Sequence, residues 1–289
     1  CMNRYNQIEE QANLGFAPDS SFPLTYAEKG LLQVKLHGPG WDDLPLQAGQ
    51  ALNVVPDKAT YAGHRLEELL PVLDQSGVQY SQTEDSVTVL GVSKHSKDAA
   101  EGVNAIVGLA ESLSLIQPHP ALLFIADAVG EDATGEALFG RITDEPSGDL
   151  SFNLATLVID QEQSEIGIDI RIPVLADKDA LVARLREIAA SYQLSYEEFD
   201  YLAPLYVPLD SPLVSSLMAV YQEETGDKTP AMSSGGATFA RTMENCVAFG
   251  ALFPGAEQTE HQANERAKID DLYAAMEIYR EAIQRLATT

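Results

Sequence analysis

Five histidines, His37, His64, His95, His119 and His261, are the side chains of this 289-residue chain best suited to metal or proton chemistry. No two of them form an HxH, HxxxH or HExxH pair, so local spacing assembles no metal site. Taken singly, each reads as a surface or structural histidine. Cys1 and Cys246 are the only cysteines, which leaves neither a disulfide framework nor a thiolate zinc site. Asp19 follows Pro18 in a Gly/Pro loop, where an aspartate is ordinarily a turn residue. Gly235-Gly236 reads as a tight turn with positive φ. Read from the residues alone, this is an α/β protein with dispersed candidate sites.

The elements that must position these groups are legible in part. Residues 31–36 have strand character, and residues 38–63, rich in Gly, Pro and Asp, read as a loop with a short segment at Asn53-Val54-Val55-Pro56. Residues 65–72 have helical spacing, 87–90 form a short strand, and 98–115 present one apolar helix face through Val103, Ile106, Val107, Ala110 and Leu113. A further helix is expected over 121–129. Ile166, Ile168, Ile170 and Ile172 alternate with Glu165, Gly167, Asp169 and Arg171; this buries the isoleucines and leaves Arg171 on the other, polar face. Preceded by residues 153–159, that strand makes a hairpin turning near Glu162-Gln163-Ser164. Asp177 can cap the next helix, and Ser211-Pro212 another. A long helix from about residue 265 is faced by Ile269, Leu272, Tyr273, Met276, Tyr279 and Ile283.

Two β-rich units, each with a helix, therefore lie between residues 28 and 207, and two split-βαβ (ferredoxin-like) halves side by side are the expected arrangement. The last 80 or so residues hold helices and a Gly-rich loop but few strands, and the first 27 have the same deficit, so part of a sheet is expected to be missing. The formal charge of −26 argues against nucleic acid, whose phosphates need Lys and Arg partners. No run of about 18 apolar residues offers a membrane span. The start of the chain has no secretory pattern, so a cytoplasmic location is expected.

Five stretches, in order, carry a family resemblance. They are Leu14-Gly-Phe-Ala-Pro-Asp19 with Glu28-Lys-Gly30; Asn53-Val-Val-Pro56; Gly91-Val-Ser-Lys-His95 with Gly102-Val-Asn-Ala105; Asp169-Ile-Arg-Ile-Pro-Val174; and Gly235-Gly-Ala-Thr-Phe-Ala-Arg241 with Phe253-Pro-Gly255 and Glu260-His-Gln-Ala-Asn-Glu265. Together they resemble the zinc-dependent dipeptidase branch (PepV-like, Xaa-His dipeptidase or carnosinase-like) of the aminoacylase and carboxypeptidase superfamily. The resemblance implies an α/β catalytic domain of zinc-aminopeptidase type, incomplete here (1–27 and 208–289), and an α+β lid of two ferredoxin-like units (28–207). It implies two zinc ions, with Asp19 a carboxylate ligand of one and His261 an imidazole ligand of the other. It makes His95 the lid residue that stabilises the oxyanion of a dipeptide's tetrahedral intermediate, and Asn53 a polar lid residue at the substrate. Arg171 becomes the clamp for the substrate's free carboxylate, with Gly235, Gly236 and Thr238 as a backbone cradle beside it. The bland alternative is that Arg171 merely pairs with Asp169 or a neighbouring acid.

The family's His-x-Asp segment, its bridging aspartate and its Glu-Glu pair have no counterpart in these residues. The chain is therefore expected to be the C-terminal part of such an enzyme, inactive alone, with the missing N-terminal segment as a complementing partner and a monomeric parent. Exposed apolar surface would follow from lost sheet strands. A sister deacylase or desuccinylase activity, or a non-catalytic binding protein that keeps the lid fold, are the alternatives.

Overall fold

A computed structural model describes residues 2–10, 12–257, 259 and 264–288. The chain divides into two compact units, Cys1–Lys29 with Ala203–Thr289, and Gly30–Leu202.

The Gly30–Leu202 unit is built on one eight-stranded sheet. Its strands run in the order Ser195–Leu202, Gly30–Pro39, Gln163–Ile172, Ser151–Ile159, Leu46–Ala48, Lys58–Tyr61, Val87–Leu90, Tyr80–Gln82, and every neighbouring pair is antiparallel. The alternating isoleucines do what their period requires: Ile166, Ile168, Ile170 and Ile172 are buried with Leu32, Val34 and Leu36 of the adjoining strand. Asp177 accepts hydrogen bonds from the backbone N–H groups of Asp179 and Ala180 and so starts the Lys178–Ser191 helix, which buries Leu181 and Leu185.

Three local expectations need correcting. The stretch 38–63 holds two strands, Leu46–Ala48 and Lys58–Tyr61, which its Gly and Pro content disguised. The expected single helix over 98–115 is a 3-10 helix, Ser96–Glu101, then a break, then an α-helix, Ala105–Ser114. Asn104 causes the restart, because its Oδ1 accepts the N–H groups of Ile106 and Val107. Arg171 does not sit on an open polar face. It is 3% exposed, because the Ser96–Glu101 helix packs over that side of the strand.

The second unit has a five-stranded sheet in which Gly15–Ala17, Cys246–Ala248, Thr25–Glu28 and Leu205–Tyr206 follow one another, with Met232–Ser234 also paired to Thr25–Glu28. Phe16, Phe22, Tyr221, Phe249, Phe253 and Tyr279 pack there as an aromatic cluster. Ser211 caps the Pro212–Thr225 helix through the N–H of Val214, and Gly226 closes it in the left-handed conformation.

The Ile269–Leu286 helix reverses its expected orientation. It buries Ala275, Ile278 and Ala282, whereas Ile269, Leu272, Tyr273, Met276 and Ile283 are each half or more exposed. The small alanines allow close approach to the Pro212–Thr225 helix, which the bulkier stripe would prevent.

Candidate functional site

Asn53, His95 and Arg171 are far apart in sequence and come together in the Gly30–Leu202 unit. An antiparallel bridge between Val54 and His95 is closed by Ser96 N–H donating to the Asn53 carbonyl (2.9 Å) and Val55 N–H donating to the Lys94 carbonyl (2.8 Å). Arg171 reaches the same segment, its Nη2 donating to Ser96 Oγ at 3.0 Å. Ser96 is therefore the hub that joins all three.

His95 is exposed and stands at the start of the 3-10 helix, where its Nδ1 accepts the N–H of Lys97 at 3.1 Å. An imidazole nitrogen that accepts carries no proton, so the neutral ring bears its hydrogen on Nε2 and offers it as a donor. Partial desolvation of the ring lowers its pKa, and the positive charges of Arg171 and Lys97 add to this against opposing pulls from Asp169 and Asp98. The neutral, Nε2-protonated form is thus favoured at neutral pH.

Arg171 is held as a fork on Asp169: Nε donates to Oδ1 at 2.6 Å and Nη2 to Oδ2 at 3.1 Å. Gln33 donates to the same carboxylate at 2.9 Å. The pairing with Asp169 left open by the sequence is therefore present, and it orients the guanidinium while partly neutralising it. Asn153 Nδ2 donates to the carbonyls of Leu52 and Val54, 3.0 Å each, bracing the backbone on both sides of Asn53. Ser151 donates to the Ser96 carbonyl. Ser96, Ser151, Asn153 and Gln33 are the supporting residues that sequence reasoning missed. A signal existed: Ser151 lies opposite Arg171, Asn153 opposite Asp169, and Asp169 opposite Gln33, a run of polar residues in register on strands otherwise apolar.

The other unit holds Asp19 and the Gly-rich loop. Asp19 is exposed in the turn between Gly15–Ala17 and Ser20–Ser21, and its Oδ2 accepts the N–H of Phe239 at 3.4 Å, next to Thr238. Neither Gly235 nor Gly236 has positive φ, so the expected left-handed turn is absent. What shapes this loop instead is Glu28, a buried carboxylate. It accepts the N–H (3.0 Å) and hydroxyl (2.5 Å) of Thr238, and Nε (3.1 Å) and Nη2 (3.0 Å) of Arg241. Arg241 also donates to the carbonyls of Lys29, Ala203 and Gly236. The Thr238 hydroxyl is accordingly committed to Glu28, while its oxygen accepts the N–H of Ala240.

His261 lies outside the described residues. Among the described residues no group of three or more His, Cys, Asp or Glu side chains converges as a metal site needs. Asp19 belongs to no such group there, so the described residues do not by themselves fit a zinc site. No described helix is long and apolar enough to cross a membrane.

Residues 25–285 match the family described as Peptidase family M20/M25/M40. The chain is 34% identical over 310 residues to YtjP of Bacillus subtilis (strain 168), which is named provisionally as a dipeptidase. It is 32% identical over 311 residues to a similarly named protein of Staphylococcus aureus (strain MW2). In both cases the match takes in 99% of this chain and 66% of the relative, so the chain spans just under two thirds of their length. Its fold is similar to that of aminoacylhistidine dipeptidase from Vibrio alginolyticus, with a TM-score of 0.53 at 10% identity over 94% of this chain and 65% of that one. It is also similar to that of a tripeptidase from Staphylococcus aureus, with a TM-score of 0.51 at 13% identity over 100% of this chain and 61% of that one. The mixed α/β chain belongs to peptidase family M20/M25/M40.

Proposed function

We propose that this chain carries the lid (28–207) and the C-terminal part of the catalytic domain (1–27 and 208–289) of a metal-dependent dipeptidase. The lid would consist of two ferredoxin-like units. The strands Gly30–Pro39, Ser151–Ile159, Gln163–Ile172 and Ser195–Leu202 support one of them, since their spatial order 4-1-3-2 is that of a split βαβ. Zinc, two ions in the whole enzyme, would be held in part by Asp19 and His261. The general base and the other ligands lie outside this set of residues, so the chain alone is inactive. The whole enzyme would act as a monomer in the cytoplasm.

The observation that carries the reading is the joining of Asn53, His95 and Arg171 through Ser96 in a chain of this family. His95, neutral and with its proton on Nε2, is suited to donate to the oxygen of a scissile carbonyl as negative charge develops there. Arg171, oriented by Asp169 and Ser96, supplies a positive charge for a substrate carboxylate, and Asn53 a polar contact beside them. Gly235 and Gly236 have no side chains to obstruct an extended substrate. The exposed stripe on the Ile269–Leu286 helix supports the incompleteness of the catalytic part, because several large apolar side chains along one helix face are ordinarily covered.

The test is hydrolysis of a dipeptide panel that includes β-alanyl-histidine, with zinc added. It is run on this chain alone and on the chain extended at its N-terminus by the matching segment of a relative. No turnover alone and turnover on extension, lost in His95→Ala, is expected. Turnover by the chain alone would refute its dependence on outside ligands, and an active extended protein indifferent to His95→Ala would remove His95 from the chemistry.

A further inference from the structure

Residues 115–119 join the Ala105–Ser114 helix to a short helix, Pro120–Leu123, and are tied to both halves of the Gly30–Leu202 sheet. The buried Gln117 side chain accepts the hydroxyl of Tyr61, from the Lys58–Tyr61 strand, at 3.3 Å. Arg65 donates to the Ile116 carbonyl. Two residues on from Gln117, His119 Nε2 donates at 3.0 Å to the carbonyl of Pro39, at the end of the Gly30–Pro39 strand. Three strands separate Gly30–Pro39 from Lys58–Tyr61 in the sheet.

His119 is 1% exposed, and both of its ring nitrogens are committed. Nδ1 accepts the N–H of Ala121 at 3.2 Å and so caps the first turn of the short helix, a role usually given to Ser, Thr, Asp or Asn. A carbonyl can only accept, so Nε2 carries the ring hydrogen; an N–H can only donate, so Nδ1 carries none. These two bonds fix the neutral tautomer. A second proton must go to Nδ1, where it faces the Ala121 N–H and ends the cap. The new charge would also be buried, since Ala121, Leu122, Phe124 and Ile125 just beyond it are each 0% exposed. The Trp41 ring lies 5.6 Å from the imidazole, centre to centre.

The ionisable groups on the surrounding elements are engaged elsewhere or face away. Asp43, His64 and Arg65 line a cleft with Trp41 and Gln117 that His119 does not line, and Asp42 is exposed. Lys35, His37, Glu165 and Glu197 pair among themselves, and the first three alternate with the buried Val34, Leu36 and Ile166 and so project from the opposite face of the sheet. Asp160 accepts the N–H groups of Glu162 and Gln163 in its own turn. Glu111 interacts with Glu131, and Asp127 with Tyr192. Burial accordingly lowers the pKa of His119, opposed by the Pro39 carbonyl, and no charged group among the described residues contributes.

We propose that His119 is an acid-sensitive latch. At neutral pH it clasps the Pro120–Leu123 helix to the Gly30–Pro39 strand, and on taking up a proton at Nδ1 it releases the first turn of that helix. Because its folded pKa is the lower one, the latch is fully closed above about pH 6.5 and is lost as pH falls through the folded value. Nothing in the peptidase reading uses His119, so the latch stands or falls separately.

The experiment is hydrogen exchange by mass spectrometry on the full chain between about pH 7 and about pH 4, a range that spans the histidine titration. The parent is compared with His119→Asn at each pH, which cancels the intrinsic pH dependence of exchange and the titration of carboxylates. Asparagine keeps a capping oxygen and takes up no proton in this range. On acidification the peptide covering residues 118–123 should lose at least about fivefold more protection in the parent than in the variant, which is what one cap is worth. Peptides covering the Gln163–Ile172 strand should behave alike in both. The emission of Trp41, the single tryptophan, should shift over the same range in the parent alone. Should His119→Asn fail to fold, nitrogen NMR of the parent decides: Nδ1 is expected to be unprotonated at neutral pH, with a midpoint below about 6.5 that coincides with the loss of protection. The latch is overturned if residues 118–123 lose no more protection in the parent than in a folded variant. It is equally overturned if the ring takes up its proton with no change in protection.

Discussion

Arg241→Met should loosen the Cys1–Lys29 and Ala203–Thr289 unit far more than a surface ion-pair mutation would. Glu28 is 0% exposed and the Arg241 side chain 5%, so their pair is shielded from water and salt. Removing the guanidinium leaves the buried carboxylate, among the described residues, with the N–H and O–H of Thr238 alone, and strips donors from the carbonyls of Lys29, Ala203 and Gly236. Breaking a buried pair from one side costs about 3–5 kcal/mol, a large share of the roughly 5–15 kcal/mol that holds a domain together. At about 1.4 kcal/mol per tenfold, backbone amides of this unit should exchange with deuterium at least about a hundredfold faster. Hydrogen exchange by mass spectrometry reads both units in one experiment. Peptides covering the Met232–Ser234 strand and Thr238 should lose protection, while those covering the Gln163–Ile172 strand should not change. Glu28→Leu added to Arg241→Met should restore part of the loss, since no buried charge is then left unpaired. A change below about fivefold in Arg241→Met would refute the claim that this pair holds the Gly-rich loop to the sheet.

Other outcomes follow from the same geometry. NMR titration of His95 should give a midpoint below the usual value of about 6.5, and Lys97→Met should move it upward by removing one of the charges that depress it. Because its folded pKa is the lower one, its contribution to stability is complete above about pH 6.5 and is lost as pH falls through the folded value; a midpoint at or above the usual value would contradict the packing described. Gly49→Ala should destabilise the Gly30–Leu202 unit by about 2–4 kcal/mol, since a side chain is strained at that left-handed conformation and would overpack its neighbours. Its φ is 79° and an added Cβ would lie 2.0 Å from the Ala155 carbonyl. Urea unfolding followed by the single tryptophan, Trp41, which lies in that unit, measures it, and a loss under about 1 kcal/mol would argue against the close approach. Ile168→Ala should cost about 2–5 kcal/mol in the same assay, as a fully buried residue of the central sheet.

Local pattern was enough wherever one interaction decided the outcome. The isoleucines at 166, 168, 170 and 172 announced a buried strand because side-chain direction alternates strictly along an extended chain. Asp177 and Ser211 announced helix starts because a cap satisfies N–H groups two or three residues away. Asn53, His95 and Arg171 were legible as candidates through family resemblance, with spacing contributing nothing, since they lie on a turn, a 3-10 start and a strand that meet only in the folded unit.

Tertiary packing decided the rest. Alternation put Arg171 on the polar face of its strand, yet a second layer covers that face, and Asp169 and Ser96 satisfy the buried charge. Periodicity showed that the last helix has a bulky apolar stripe, but the choice of buried face went to Ala275, Ile278 and Ala282, where a neighbouring helix could approach closely. Glu28 was legible only as part of a matching stretch, with no role, until the fold set Thr238 and Arg241 against it. Sequence thus determined the elements and the types of chemistry available, because those depend on neighbours a few residues away. The partners of each charged or apolar side chain depended on long-range contacts, whose free energy exists only once the chain is folded.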